Sequence, residues 1–214
     1  NITIYERNAA LGRKFLVAGD GGFNLTHSEN MEQFVTRYKP ASFLKPYIYR
    51  FSNANLMDLL KSMGIDTYTG TSKRVFPVKG IKPIDVLNAF IIELKKKHVD
   101  IKTNYTWCGW KNNALMFETK TETVLVKSDI TVFALGGSSW KVTGSDGSWT
   151  NYFKEKGIHI IPFSPSNCAF KVDWNAAFIE HTEGKQLKNI SLACGAKQQK
   201  GELVITKFGL EGGA

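Results

Sequence analysis

Residues Ile2-Thr3-Ile4-Tyr5-Glu6 form a β-branched run that stops at an acid. Such a run predicts a short strand with a carboxylate at its carboxyl end. In doubly wound α/β folds that position suits an acceptor for ribose hydroxyls, because Glu or Asp offers only lone pairs there. The fingerprint G-x-G-x-x-G, which should precede such an acid by about 20 residues, is absent: the chain opens at Asn1, without a Met, inside the strand. The sequence therefore reads as a piece of a longer protein. Taken alone, a strand ending in Glu is equally an ordinary solvent-facing feature.

Two glycine-containing stretches give that acid a context. The first is Ala18-Gly19-Asp20-Gly21-Gly22-Phe23-Asn24-Leu25-Thr26-His27. Glycines remove Cβ atoms, so backbone N–H groups can approach a phosphate or a flat ring closely. Asn24 and Thr26, flanking Leu25, add side-chain donors and acceptors. Arg13 and Lys14 before the loop could balance pyrophosphate charge. The second stretch is Ile130-Thr131-Val132-Phe133-Ala134-Leu135-Gly136-Gly137. It reads as an apolar strand buried on both faces of a parallel sheet, opening at Ala134, Gly136 and Gly137 into space for a ligand. On composition alone, a flexible turn and a tight strand-to-helix turn explain the two glycine stretches equally well.

The intervening chain alternates helices and strands. Leu56, Leu59, Leu60 and Met63 recur at helical spacing after Ser52, a good N-cap, and before Gly64, a good C-terminal stop. Residues 65–78 read as two short strands, and a second helix starts at Pro83. After His98 the period changes to two, predicting a meander of Asp100–Trp107, Ala114–Glu118 and Thr123–Lys127. A helix over Trp149–Lys156 ends at Gly157. Pro162 and Pro165 mark a boundary, beyond which Asn167–Asp173, Leu187–Ala196 and Gly201–Thr206 read as strands of another module.

With 214 residues, 43% apolar and 22% charged, the chain is an ordinary globular sequence. No stretch of about 18 apolar residues is present to span a membrane, and Ile2–Tyr5 is too short for a signal peptide. Cys108, Cys168 and Cys194 are isolated, which argues against a disulfide scaffold or a metal site and for a reducing, cytoplasmic setting. The formal charge is +9. It comes mostly from scattered lysines rather than arginine forks, which argues against a nucleic-acid partner.

In order along the chain, Leu11–Leu16, Ala18–Glu29, Arg74–Val78, Ala134–Trp140, Thr143–Gly147 and Thr206–Gly213 resemble the HI0933-like (YhiN/BaiN-type) flavoproteins. The resemblance implies an α/β fold: a Rossmann-like FAD/NAD(P)-binding domain of the glutathione-reductase type over 1–162, with a small β-meander near 100–128. It implies that 163–214 begin an inserted, β-rich, substrate-side domain. It also implies an FAD-dependent oxidoreductase of a small-molecule substrate, with NADH or NADPH as electron donor. Cofactor contacts would fall to Glu6, Arg7, Arg13, Lys14, Gly19, Gly21, Gly22, Asn24, Leu25, Thr26, Ala134, Gly136 and Gly137. The Gly19–Asn24 backbone is the candidate donor set for reduced flavin, and no catalytic acid or base is named. Many such proteins carry Arg-Cys where this chain has Gly22-Phe23, so no role of that Cys transfers. His27 is the histidine placed nearest a flavin. The rival readings are a flavin- or nucleotide-binding module without turnover and a basic RNA-associated flavoprotein. As a fragment, the chain is expected to bind FAD weakly, to lack turnover and to self-associate through exposed strand edges.

Overall fold

The computed structural model describes residues 1–17, 23–139, 141–144, 146–165 and 168–212. They divide between two units, Asn1–Ile160 and Ile161–Ala214. The first unit starts with β1 (Thr3–Glu6), α1 (Arg13–Leu16), β2 (Thr26–His27), α2 (Met31–Thr36) and α3 (Ala41–Arg50). It continues through α4 (Asn53–Ser62), β3 (Thr67–Thr69), β4 (Arg74–Pro77) and α5 (Pro83–Lys96). It closes with β5 (Asp100–Thr103), β6 (Thr106–Lys111), β7 (Ala114–Glu118), β8 (Thr123–Val126) and α6 (Thr150–Glu155).

Local chemistry accounts for the helices on either side of β3 and β4. Ser52 Oγ accepts the Asn55 N–H while Asn55 Oδ1 accepts the Ser52 N–H, a reciprocal cap on α4. Gly64 follows α4 at φ +80°, where a Cβ would be strained. Pro83 opens α5, and Asp85 accepts the Lys82 N–H at 2.7 Å. Leu60 and Val86, one from each helix, are fully buried with Ile65 between them.

β1 and β5 pair in parallel, Glu6 opposite Thr103. The expected strand 100–107 is two strands, because Asn104 takes φ +60° and breaks it. β5 thus serves the parallel pair, and the meander is β6-β7-β8. A bulge in β6 at Gly109 (φ +94°) brings the backbone against Tyr152 of α6; an added Cβ would sit 3.0 Å from that ring.

The expectation of a doubly buried strand at Ile130–Leu135 is not met. This segment pairs with no strand among the described residues. Ile130 and Val132 are each 84% exposed, whereas Phe133 packs on Trp107, Trp110 and Phe153. One side has an aromatic partner and the other has no sheet neighbour, so burial is one-sided. α2 and α3 were not anticipated. Asn30 caps α2 by accepting the Gln33 N–H, and α3 carries Pro46 in its interior, a residue that argues against helix.

The second unit is an antiparallel sheet of order β10-β11-β12-β9, made from β9 (Phe170–Lys171), β10 (Gln186–Cys194), β11 (Lys197–Thr206) and β12 (Gly209–Gly212). A helix, α7 (Ala176–Thr182), lies between β9 and β10 in the chain. Leu203 and Ile205 of β11 are this unit's buried apolar residues among the described ones. Gly209 (φ +150°) lets β12 reach β9: a Cβ there would lie 1.8 Å from the Phe170 carbonyl oxygen. Gly209→Ala should therefore cost this unit at least about 2 kcal/mol through steric overlap. Hydrogen exchange would check it: protection of the Val172 N–H, which donates to Phe208 O, should fall while β1–β5 amides keep theirs.

Candidate functional site

The carboxyl end of β1 holds two of the predicted residues, Glu6 and Arg7. Glu6 is half-buried, and its Oε1 accepts both the backbone N–H and the side-chain amide of Asn8 at 2.7 Å. Its Oε2 accepts no hydrogen bond from the described residues, so one oxygen is pinned and the other has no donor among them. The Asn104 and Tyr105 amides donate to Asn8 O and Glu6 O, continuing the β1–β5 pairing past the strand ends.

Gly144 and Asp146, beyond the second glycine stretch, meet this end. The Arg7 guanidinium donates to the Gly144 carbonyl and pairs with Asp146 Oδ2 at 3.3 Å. A Cβ on Gly144 (φ +96°) would lie 3.1 Å from Arg7 Nη2, so the approach needs glycine. Asp146 Oδ1 accepts the Ser148 N–H and hydroxyl; these bonds, then Arg7, hold its carboxyl below the usual aspartate range. Lys14 on α1 donates to Ser139 Oγ at 2.7 Å. The Trp149 indole donates to Gly136 O at 3.1 Å, fixing the turn where Gly136 adopts φ +75°. Arg7 and Lys14 thus bind the loop of residues 136–147 rather than standing free for a pyrophosphate.

The first glycine stretch lies beside a different network. Gly19, Gly21 and Gly22 fall outside the described residues. Asn24 is exposed, while the Leu25 amide and the Thr26 backbone join β4 opposite Val75. α1 links the two regions, with Lys14 at Ser139 and Phe15 edge-on to Phe23 at 4.9 Å. Arg13 is exposed on α1, and Ala134 is exposed before the Gly136 turn.

His27 lies in β2, and its contacts make it a structural residue. Nδ1 accepts the Glu29 N–H at 3.3 Å and Nε2 lies 3.1 Å from Ser72 O, a pair of bonds that one neutral tautomer, with the proton on Nε2, satisfies. Glu29 is buried and takes a two-pronged bond from Arg37, Nε to Oε1 at 3.1 Å and Nη2 to Oε2 at 3.0 Å. Buried Asn53 donates to the carbonyls of His27 and Glu29. Sequence reading missed this group, since Glu29, Arg37 and Asn53 come together only through the fold. Arg37 lowers the Glu29 pKa, against the raising effect of burial. Burial raises the Cys108 thiol, so it has no thiolate character to exploit.

The pattern of the HI0933-like protein Rossmann domain matches residues 1–209. The chain belongs to the HI0933-like family. A curated relative, the 3-dehydro-bile acid delta(4,6)-reductase of Clostridium scindens, is 24% identical over 99% of this chain and 51% of its own length. The chain spans about half the length of that relative. Among the described residues no helix is long and apolar enough to cross a membrane, and no cluster of three metal-ligating side chains occurs.

Two outcomes follow from the charge pairs. The Arg7 and Asp146 side chains are 36% and 21% exposed, so solvent screening limits the pair to about 1 kcal/mol or less. Asp146→Asn keeps the acceptor for Ser148 but removes the charge. It should speed tryptic cleavage after exposed Lys141 by up to about fivefold with little change in melting temperature. The second outcome concerns pH. A carboxyl whose folded pKa lies below 4.5 adds stability above that value and loses it as pH falls through the folded pKa. Arg37→Met should therefore lower the melting temperature at pH 7, and the gap from the parent should close as pH falls below 4.5 through the lowered Glu29 pKa, as measured by thermal melts across pH.

Proposed function

We propose that this chain contributes the adenosine-side FAD contacts of a flavin-dependent reductase acting on a small molecule. The carrying observation is Glu6: at the carboxyl end of a parallel strand, one carboxylate oxygen is pinned by Asn8 and the other is open. That arrangement fits a ribose diol, which needs a fixed acceptor. HI0933-like membership and the reductase relative support the class of reaction.

Bound FAD would supply hydride transfer, and the protein supplies binding and orientation. Glu6 would take the ribose hydroxyls. Arg7 and Asp146 would hold the loop of residues 136–147 at that end, and Trp149 would orient the Gly136–Gly137 turn. Lys14, bound to Ser139, would add positive charge on the same side. The segment around Asn24 would face the ring end, with NADH or NADPH as the reductant. Residues 163–214 would begin the substrate-side domain. The exposed face of Ile130 and Val132 is the surface through which the isolated chain would self-associate.

Glu6→Gln keeps an acceptor but loses the charge. It should weaken FAD binding by about 1.5–3 kcal/mol, the range of a charge-assisted hydrogen bond, or at least about tenfold in Kd. Flavin fluorescence titration of the intact protein checks this. Unchanged affinity would remove Glu6 from the site.

A further inference from the structure

Lys207 and Phe208, in the Thr206–Gly212 segment whose sequence stood out but whose role the cofactor site leaves unexplained, line a cavity in the second unit. The cavity measures about 440 Å³, within the range of about 300–1,000 Å³ that small-molecule sites occupy. Its apolar surface comes from Trp174, Ile179 and Phe208, among others, and Lys171 and Lys207 stand at its edge. Trp174 is held in place: its indole donates to Thr206 O at 2.9 Å and its ring packs on Phe178 at 5.1 Å. Val172 also lines the cavity, and its amide donates to Phe208 O beside the close β9–β12 approach that Gly209 permits. Phe208 nonetheless remains 66% exposed, with the Lys207 ammonium 5.0 Å from its ring centroid.

Charge narrows the occupant. Asp173 also lines the cavity and lies 3.8 Å from Lys171, both side chains being almost fully exposed. Two lysines against one carboxylate leave a net positive rim around an aromatic-walled hollow. A flat apolar molecule would cover Trp174 and Phe208, and an anionic group on it would reach Lys207 without leaving water entirely.

We propose that this cavity binds small molecules in which an apolar ring system carries an anionic group. Binding stands without the flavin reading; only the statement that the occupant is the substrate of the proposed reductase rests on it. The two readings fail separately, since this one is tested without flavin.

The test is a titration of the full chain with naphthalene-2-sulfonate, followed by methyl ¹H–¹³C spectra, with naphthalene-2-methanol as the uncharged counterpart. Saturable shifts should appear at the Ile179 and Val172 methyls. The alcohol should bind at least fivefold more weakly than the sulfonate, and Lys207→Glu should weaken the sulfonate at least fivefold. The Leu203 and Ile205 methyls report whether that variant keeps its fold; if they move, Lys207→Gln takes its place, with at least a twofold loss expected. The proposal is overturned if the shifts do not saturate or spread equally to Ile130 and Val132. It is likewise overturned if alcohol and sulfonate bind alike, or if a folded Lys207 variant binds the sulfonate as the parent does.

Discussion

The parallel pairing of β1 with β5 is the constraint on which the candidate site depends. Parallel neighbours require a long crossover, and here the crossover holds α4 and α5, whose Leu60 and Val86 form the buried core of this region. The pairing extends past the strands through Tyr105 N to Glu6 O and Asn104 N to Asn8 O. Those bonds fix the backbone on both sides of Arg7. Glu6 and Arg7 therefore project from an anchored segment, the first onto Asn8 and the second onto Gly144 and Asp146. Without β5, Asn8 would not be placed to pin the Glu6 carboxylate.

Much of this was legible because it is local. A capping serine, a proline at the first helical turn and a glycine after the last act over a few residues, so α4 and α5 could be read directly. The acid at the end of β1 was legible for the same reason. What escaped depends on partners distant in sequence. Glu29, Arg37 and Asn53 look like unremarkable surface residues until α2 and α4 bring them around His27. The 100–107 stretch looks like one strand because alternation cannot reveal that Asn104 adopts a left-handed turn. α3 escaped for another reason: Pro46 in its middle contradicts the usual helix signal, and none of its residues is buried.

Ile130–Leu135 is instructive because its composition was read correctly and its environment was not. A run of apolar residues shows that burial is favourable on both sides, but it does not supply the neighbours. Phe133 and Leu135 join the aromatic group around Trp107, while Ile130 and Val132 meet water. Hydrophobic burial scales with area removed from solvent, so the segment realises only the half of its stabilisation that the meander and α6 can offer.

The arginine and lysine near Glu6 change how the electrostatics of the site should be viewed. Read from sequence, Lys14 with Arg13 supplied cations for a pyrophosphate and Arg7 was a cofactor contact. In the fold Arg7 spends its donors on Gly144 and Asp146, and Lys14 has Ser139. An exposed ion pair of this kind contributes about 1 kcal/mol at most, too little to account for binding a dianionic cofactor. It is enough, however, to bias where a glycine-containing loop rests. The cations act first on shape, keeping the loop of residues 136–147 beside the strand end. At this end the fold presents a carboxylate held by Asn8 and a paired Arg7 rather than a cluster of unpaired charge. In the proposed site, recognition would therefore depend on pre-arranged geometry more than on net attraction, and substitutions that free Arg7 from Gly144 and Asp146 should matter even where they touch no ligand atom.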